Sequence, residues 1–175
     1  MTTIEYGFAE SPFGTIIVAR TWEGICDVQF LDYNRMETIR ELGARWGVYT
    51  PTTQSDTMAQ TVERVIFEGY HHPLRLDVKG SELQLDVWRA LQQVPFGTTV
   101  SYQQIAEVIG RPKAVRAVAT CIAQNPVAML IPCHRVIHSD GTLGEYHWGC
   151  ELKGRLIEWE KAHPELAFTP PAIPR

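Results

Sequence analysis

The sequence predicts an α+β protein: a small α/β unit over residues 1–80, a mostly α-helical unit with a helix-turn-helix over residues 81–163, and a proline-rich tail over residues 164–175. Three observations predict it. Ile4, Tyr6 and Phe8 recur at every second position, and Thr15 to Arg20 is rich in β-branched residues, the signature of strands. Two Ser-x-x-Gln capping signatures, opening at Ser81 and at Ser101, precede apolar stripes of helical period. A hydrophobic content of 45% with 21% charged residues, in a chain of 175, suffices to bury a core around both units.

In order, Ser11-Pro12-Phe13-Gly14 is a turn that joins the first two strands into a hairpin, and Ile25 to Leu31 is a third strand after Glu23-Gly24. Met36, Ile39 and Leu42 fall at helical spacing, and Val62, Val65, Ile66 and Phe67 belong to a second helix. Leu74, Leu76 and Val78 alternate again before Gly80, which brings the strands to three or four. Leu83, Val87, Ala90, Leu91 and Val94 then form the stripe of a helix that Pro95-Phe96-Gly97 ends. Ser101 and Gln104 open a short helix with Ile105, Val108 and Ile109 inward, capped by Gly110 and stopped by Pro112. The next helix runs from Lys113 or Ala114 to Gln124 with Val115, Val118, Ala119 and Ile122 inward. Its other face carries Lys113, Arg116, Ala117, Thr120 and Ala123. Two helices joined by a glycine-containing turn of about four residues make a helix-turn-helix. The last helix runs from Cys150 to Ala162 and turns Leu152, Leu156 and Trp159 inward. Pro164, Pro170, Pro171 and Pro174 predict an extended or disordered end.

The net charge of −4 argues against a polyanionic partner, but its distribution argues for one. Residues 1–80 hold seven Lys and Arg against eleven Asp and Glu, whereas residues 101–137 hold Arg111, Lys113, Arg116 and Arg135 against Glu107 alone. No apolar run is long enough to span a membrane, and Met-Thr-Thr-Ile-Glu lacks the plan of a signal peptide, so a cytoplasmic protein is expected. Cys26, Cys121, Cys133 and Cys150 show no close-paired spacing, so neither a disulfide framework nor a C-x-x-C zinc site is indicated. Cys26 with His71 and His72 falls short of the four ligands a structural zinc takes, and no metal is assigned.

Behind the apolar run Val127 to Ile131 stands Pro132-Cys133-His134-Arg135-Val136. A thiol beside an imidazole at a turn is a nucleophile arrangement, although a packed structural cysteine accounts for the same residues. Gly144-Glu145-Tyr146-His147-Trp148-Gly149 is a glycine-bounded aromatic loop suited to closing over a flat ligand.

The run from Gly97 to Ala106, then Gly110 to Ala119, then Asn125-Pro126, then Ile131 to Val136, resembles the O6-alkylguanine-DNA alkyltransferases, the suicidal DNA repair methyltransferases. The resemblance covers about Ser81 to Lys161, and the N-terminal half is similar in plan alone, a ribonuclease H-like domain followed here by a winged helix-turn-helix. It implies that Cys133 accepts an alkyl group from O6-alkylguanine, and secondarily from O4-alkylthymine, by SN2 displacement, once per molecule. It implies His134 as base, Glu160 as its orienting carboxylate, Asn125 as brace of the turn, and Tyr102 as the group that crowds the 3′ phosphate and protonates the departing base. Tyr146 would line the alkyl pocket, backbone at His147 would bind O6, and backbone at Cys133 and Val136 would read the base edge. Arg116 would fill the stack vacated by the flipped nucleotide, with Lys113, Ala117 and Thr120 beside it against the minor groove. The implied partner is double-stranded DNA, met by a monomer without any cofactor, in the cytoplasm at the DNA. Glu145 and His147 depart from the usual loop, Arg135 reads as structural, and the zinc set of some relatives is absent.

Overall fold

The computed structural model describes residues 3–31, 34–46 and 52–174. Strands β1 (Ile4–Ser11) and β2 (Gly14–Arg20) form the expected hairpin, closed where Ser11 Oγ donates to Gly14 O at 2.7 Å and Gly14 takes a φ of 98°. β3 (Ile25–Phe30) runs antiparallel to β2, and β4 (Thr52–Gln54) runs parallel to β1, giving the order β3-β2-β1-β4. Three residues are too few to show a period, so β4 left no trace in the sequence pattern. The expected strand at Leu74–Val78 is instead a single bridge, in which Ile25 N–H donates to Arg75 O and Asp77 N–H donates to Ile25 O. Leu76 and Val78 are nonetheless buried, which explains their alternation.

Alternate residues of a strand face opposite ways, and here each face has its own cover. Ile4, Phe8, Ile17, Ala19 and Cys26 pack against Leu42 of α1 (Arg35–Arg45). Ile16, Val18, Val28 and Phe30 pack against Met58, Val62 and Ile66 of α2 (Asp56–Phe67), and this cluster continues into the C-terminal half. Asn34 and Ser55 cap the two helices.

In the second half, α3 (Glu82–Gln92) and α4 (Tyr102–Val108) each start with a complete capping box, Ser81 with Gln84 and Ser101 with Gln104. Gly110, at φ 76°, lets Arg111 N–H reach back to Ala106 O, and α5 (Val115–Ala123) follows to complete the helix-turn-helix. The strand element beside it is a two-residue parallel pair, β5 (Val100–Ser101) with β6 (Val136–Ile137). Val118 and Ile122 of α5 are buried, while Arg116, Ala117, Thr120 and Ala123 stand exposed together with Lys113 just before it.

One further expectation is corrected. Val108 is 71% exposed rather than inward, because the buried positions Ile105 and Ala106 rotate the inner face of α4 away from it. Of the two forms the prolines allow for the tail, the extended one is present. After the turn Pro164–Leu166 it runs extended along α3, where Gln92 Nε2 donates to Pro171 O at 2.7 Å, Arg89 Nη2 donates to Pro174 O at 3.1 Å, and Ile173 is buried. Prolines suit such a strap, since they have no N–H to leave unpaired. The last helix, α6 (Cys150–Ala162), has the expected bounds.

Candidate active site

Cys133 opens a single 3-10 turn, Cys133–Arg135, at the end of the buried run Val127–Ile131. The run is sharply folded: Ile131 N–H donates to Val127 O, and Met129 sits at φ 69°, a left-handed conformation that costs a side chain about 1–2 kcal/mol. Asn125 holds both ends of it. Its Nδ2 donates to Ile131 O at 2.7 Å and its Oδ1 accepts from Val127 N–H at 2.9 Å.

Behind the thiol lies a fully buried polar cluster. His134 Nε2 meets Glu160 Oε2 at 2.8 Å, and both residues are sealed from solvent. Arg135 grips the same carboxylate with two donors, Nε to Oε1 at 2.9 Å and Nη2 to Oε2 at 2.8 Å, while Nη1 donates to Val94 O. Gly97 N–H adds a fourth donor to Oε1 at 3.1 Å. Burial alone would raise the Glu160 carboxyl, but the donors from His134 and Arg135 prevail and hold it at about 2. Burial pushes His134 below its ordinary value more strongly than Glu160 pulls it up, so the imidazole is neutral. With Nε2 donating to a carboxylate, Nδ1 carries the lone pair, and Nδ1 is buried with no hydrogen-bond partner among the described residues. Arg135, read from the sequence as structural, is thus the residue that fixes the carboxylate of His134.

Lys153 was not anticipated at all. It is 1% exposed, and its Nζ donates to Leu143 O at 2.5 Å, to Glu145 O at 3.2 Å and to Tyr102 Oη at 3.5 Å. The ammonium therefore ties the loop to α6. Burial lowers it from the ordinary lysine value while the Cys133 sulfur favours its charge. Reciprocally, burial raises the Cys133 thiol, and the Asn125 amide and the Lys153 charge draw it back. A signal existed in the helical spacing, since Lys153, Leu156 and Glu160 lie on one face of α6 and the latter two are buried.

A cavity of about 560 Å³ opens over the thiol, lined by Tyr102, Arg116, Asn125, Tyr146, His147 and Trp148 among others. His138 also reaches it, tilted on the Tyr102 ring at 5.1 Å, and no feature of the sequence had singled it out. Val136 is buried in β6 and does not line the cavity, and Lys113, Ala117 and Thr120 remain on the outer surface of the helix-turn-helix. Arg116 belongs to both places, exposed on α5 and lining the cavity. A larger cleft, about 820 Å³ between β2 and α2, holds no thiol. Among the described residues no group of three or more His, Cys, Asp or Glu is placed to hold a metal, and no helix is long and apolar enough to cross a membrane. Cys26 is enclosed in the sheet, and His72 stacks on Tyr70 at 5.9 Å.

Residues 82–162 match the model of the 6-O-methylguanine DNA methyltransferase DNA binding domain, and residues 4–65 match the ribonuclease-like domain of the same proteins. A methylated-DNA–protein-cysteine methyltransferase of Mycolicibacterium paratuberculosis is 35% identical over 95% of this chain and 98% of its own length. The chain belongs to this methyltransferase family. The bifunctional transcriptional activator and DNA repair enzyme Ada of Escherichia coli is 38% identical over 93% of the chain, which spans only 47% of that relative's length. Among solved structures, Mycobacterium tuberculosis OGT in complex with DNA superposes with a TM-score of 0.73 at 30% identity, covering 90% of this chain and 93% of that one.

Proposed function

We propose that this chain is a DNA repair alkyltransferase that moves the alkyl group of O6-alkylguanine, and secondarily of O4-alkylthymine, irreversibly onto Cys133. The observation that carries it is the buried sequence of partners from Arg135 through Glu160 to His134, behind a thiol that faces a cavity bordered by the helix-turn-helix. His134 Nδ1 takes the thiol proton, through one water because adjacent side chains seldom point at each other, and Glu160 stabilises the imidazolium that results. The thiolate attacks the alkyl carbon, the S–C bond forms, and the C–O6 bond breaks with its electron pair passing into the guanine ring. Tyr102 supplies the proton that neutralises the leaving base, and Lys153, 3.5 Å from its oxygen, supports the transient phenolate. The thioether has no leaving group good enough to reverse the step, so each molecule acts once.

DNA binding by the OGT relative supports the approach of a duplex to α4 and α5. On this chain the exposed face of α5 is small and basic, which suits close contact with a minor groove, and Arg116 reaches from that face to the cavity mouth. There it takes the place of the flipped nucleotide, whose alkylated base occupies the cavity between Tyr146 and Asn125. His147, which lines the cavity, offers backbone to O6, and Lys113, Ala117 and Thr120 meet the strands. One chain supplies every group of the site, so the working unit is a monomer, and no cofactor enters the reaction. The place of action is the cytoplasm, at the DNA.

Intact-mass analysis after incubation with duplex carrying O6-methylguanine tests this. One methyl per molecule, mapped to Cys133 and absent from Cys133→Ala, is expected. Retained DNA binding with no mass gain would make the chain a reader of alkylated bases instead, and more than one equivalent of repaired base per molecule would rule out the single-use reaction.

A further inference from the structure

The sheet reaches the cavity from behind through one strand. In β3, Val28 N–H donates to Pro126 O at 3.0 Å, Val28 O accepts from Ala128 N–H at 3.0 Å, and Gln29 Nε2 donates to Pro126 O at 3.1 Å. These three bonds pin the start of the folded run that ends at Cys133. Two residues beyond Val28, on the same face of β3, Phe30 is 5% exposed and meets the Trp148 ring edge to face, with centroids 5.5 Å apart at 74°. Trp148 in turn meets Tyr146 edge to face at 5.2 Å and 67°. Both loop rings line the cavity that holds Cys133. One rigid strand thus touches the support of the nucleophile and the back of the aromatic wall.

We propose that β3 sets the clearance of the alkyl pocket: Val28 and Gln29 fix the thiol side, Phe30 fixes the Trp148–Tyr146 side, and the gap between them decides which alkyl groups react. The inference rests on Cys133 as the acceptor. Displacement needs sulfur and carbon about 3–3.5 Å apart and in line, and a misplacement of about 1 Å is costly. A methyl group offers little surface of its own and depends on the wall to hold its guanine. A benzyl group brings apolar area that can fill a wider pocket. Loss of the Phe30 ring lets Trp148 withdraw, which penalises methyl transfer and spares or favours benzyl transfer.

Single-turnover transfer from duplex O6-methylguanine and from duplex O6-benzylguanine, read by intact mass in the full chain, is compared for wild type, Phe30→Leu and Phe30→Ala. Rates are normalised to the fraction of Cys133 that iodoacetamide labels. An edge-to-face pair is worth enough that Phe30→Ala slows methyl transfer about threefold to tenfold. Benzyl transfer holds or rises, so the benzyl-to-methyl ratio increases by about threefold or more, with Phe30→Leu between. The iodoacetamide rate at Cys133 stays as in wild type. Equal slowing of both substrates, or none, overturns the proposal and leaves Phe30 as packing between the two halves. If Phe30→Ala does not fold, Phe30→Leu and Trp148→Phe decide it by the same ratio. Absence of any transfer in wild type would instead defeat the reading of Cys133 itself.

Discussion

Three of the four thiols in this protein are buried, Cys26, Cys121 and Cys133, and Cys133 lines the cavity beside the helix-turn-helix, yet burial is not what separates it from Cys26. Cys26 in β3 and Cys133 in its turn are both pushed up by desolvation. Around Cys26 the next influences are the Asp27 and Asp77 carboxylates, which raise it further, and Arg45 offsets them only in part. Around Cys133 the amide of Asn125 and the charge of Lys153 act in the opposite sense. Each thiol also has a buried carboxylate gripped by a bidentate arginine nearby: Arg45 holds Asp27 at 2.8 and 3.0 Å, and Arg135 holds Glu160 at 2.9 and 2.8 Å. Asp27 has no imidazole partner, and burial leaves its carboxyl raised, whereas Glu160 is lowered. A carboxylate beside a thiol silences it. The same group placed one imidazole away makes a base for it.

Removing the two carboxylates separates these cases most strongly. Glu160→Gln takes away the orienter of His134 and leaves the Arg135 guanidinium buried without its partner. Transfer per folded molecule should fall by about 10²–10⁴, with about 3–5 kcal/mol of stability lost. Asp27→Asn should leave transfer within about twofold, as expected of a distant site, when both are followed by intact mass in single turnover. Comparable losses in the two variants would erase the distinction.

Acid unfolding gives the next largest contrast, with opposite signs. The Glu160 carboxyl is lower in the fold than in the unfolded chain, so its contribution is complete above about 4.5 and is lost as pH falls toward about 2, roughly 3 kcal/mol in all. The Asp27 carboxyl is higher in the fold, so acidification down to the ordinary aspartate value of about 3.9 relieves the fold rather than weakening it, and further acid adds nothing at this group. Urea midpoints measured from pH 6 to pH 2 should show the loss in wild type and Asp27→Asn and a shallower loss in Glu160→Gln. A Glu160→Gln profile parallel to wild type would contradict the assignment.

Lys153→Met should have a smaller effect confined to one thiol. Without the ammonium, Cys133 loses a charge that favours its thiolate, and the pH–rate profile for iodoacetamide at Cys133 should move to higher pH. Transfer near neutral pH should slow about tenfold, with a further contribution from the released loop carbonyls of Leu143 and Glu145. Labelling at Cys26 should not change.

These contrasts also show what could be read in the sequence. Cys133, His134, Glu160, Asn125 and Tyr102 were anticipated, and the structure brings His134 onto Glu160 and places Asn125 across the turn. Both capping boxes were legible because Ser and Gln three apart have one local purpose, and the hairpin was legible because an alternating stretch and a β-branched one flank a Ser-Pro-Phe-Gly turn. Long-range partnerships were not. Arg135 read as structural with no partner to name, and no pattern marked Lys153, because a buried charge is defined by partners 8 to 51 residues away. Ile173 and its strap were hidden by prolines that read equally as disorder. The three residues of β4 had no period to show.

The central claim is that charge placement, not burial, selects the reactive thiol. Titration of the 13Cβ resonances of the cysteines in the folded protein, in wild type and in Lys153→Met, tests it most directly. Cys133 should form its thiolate before Cys26 as pH rises, Cys26 should stay protonated through the range in which the protein remains folded, and Lys153→Met should move Cys133 alone to higher pH. Titration of Cys26 together with or before Cys133, or a Cys133 curve indifferent to Lys153, would contradict it.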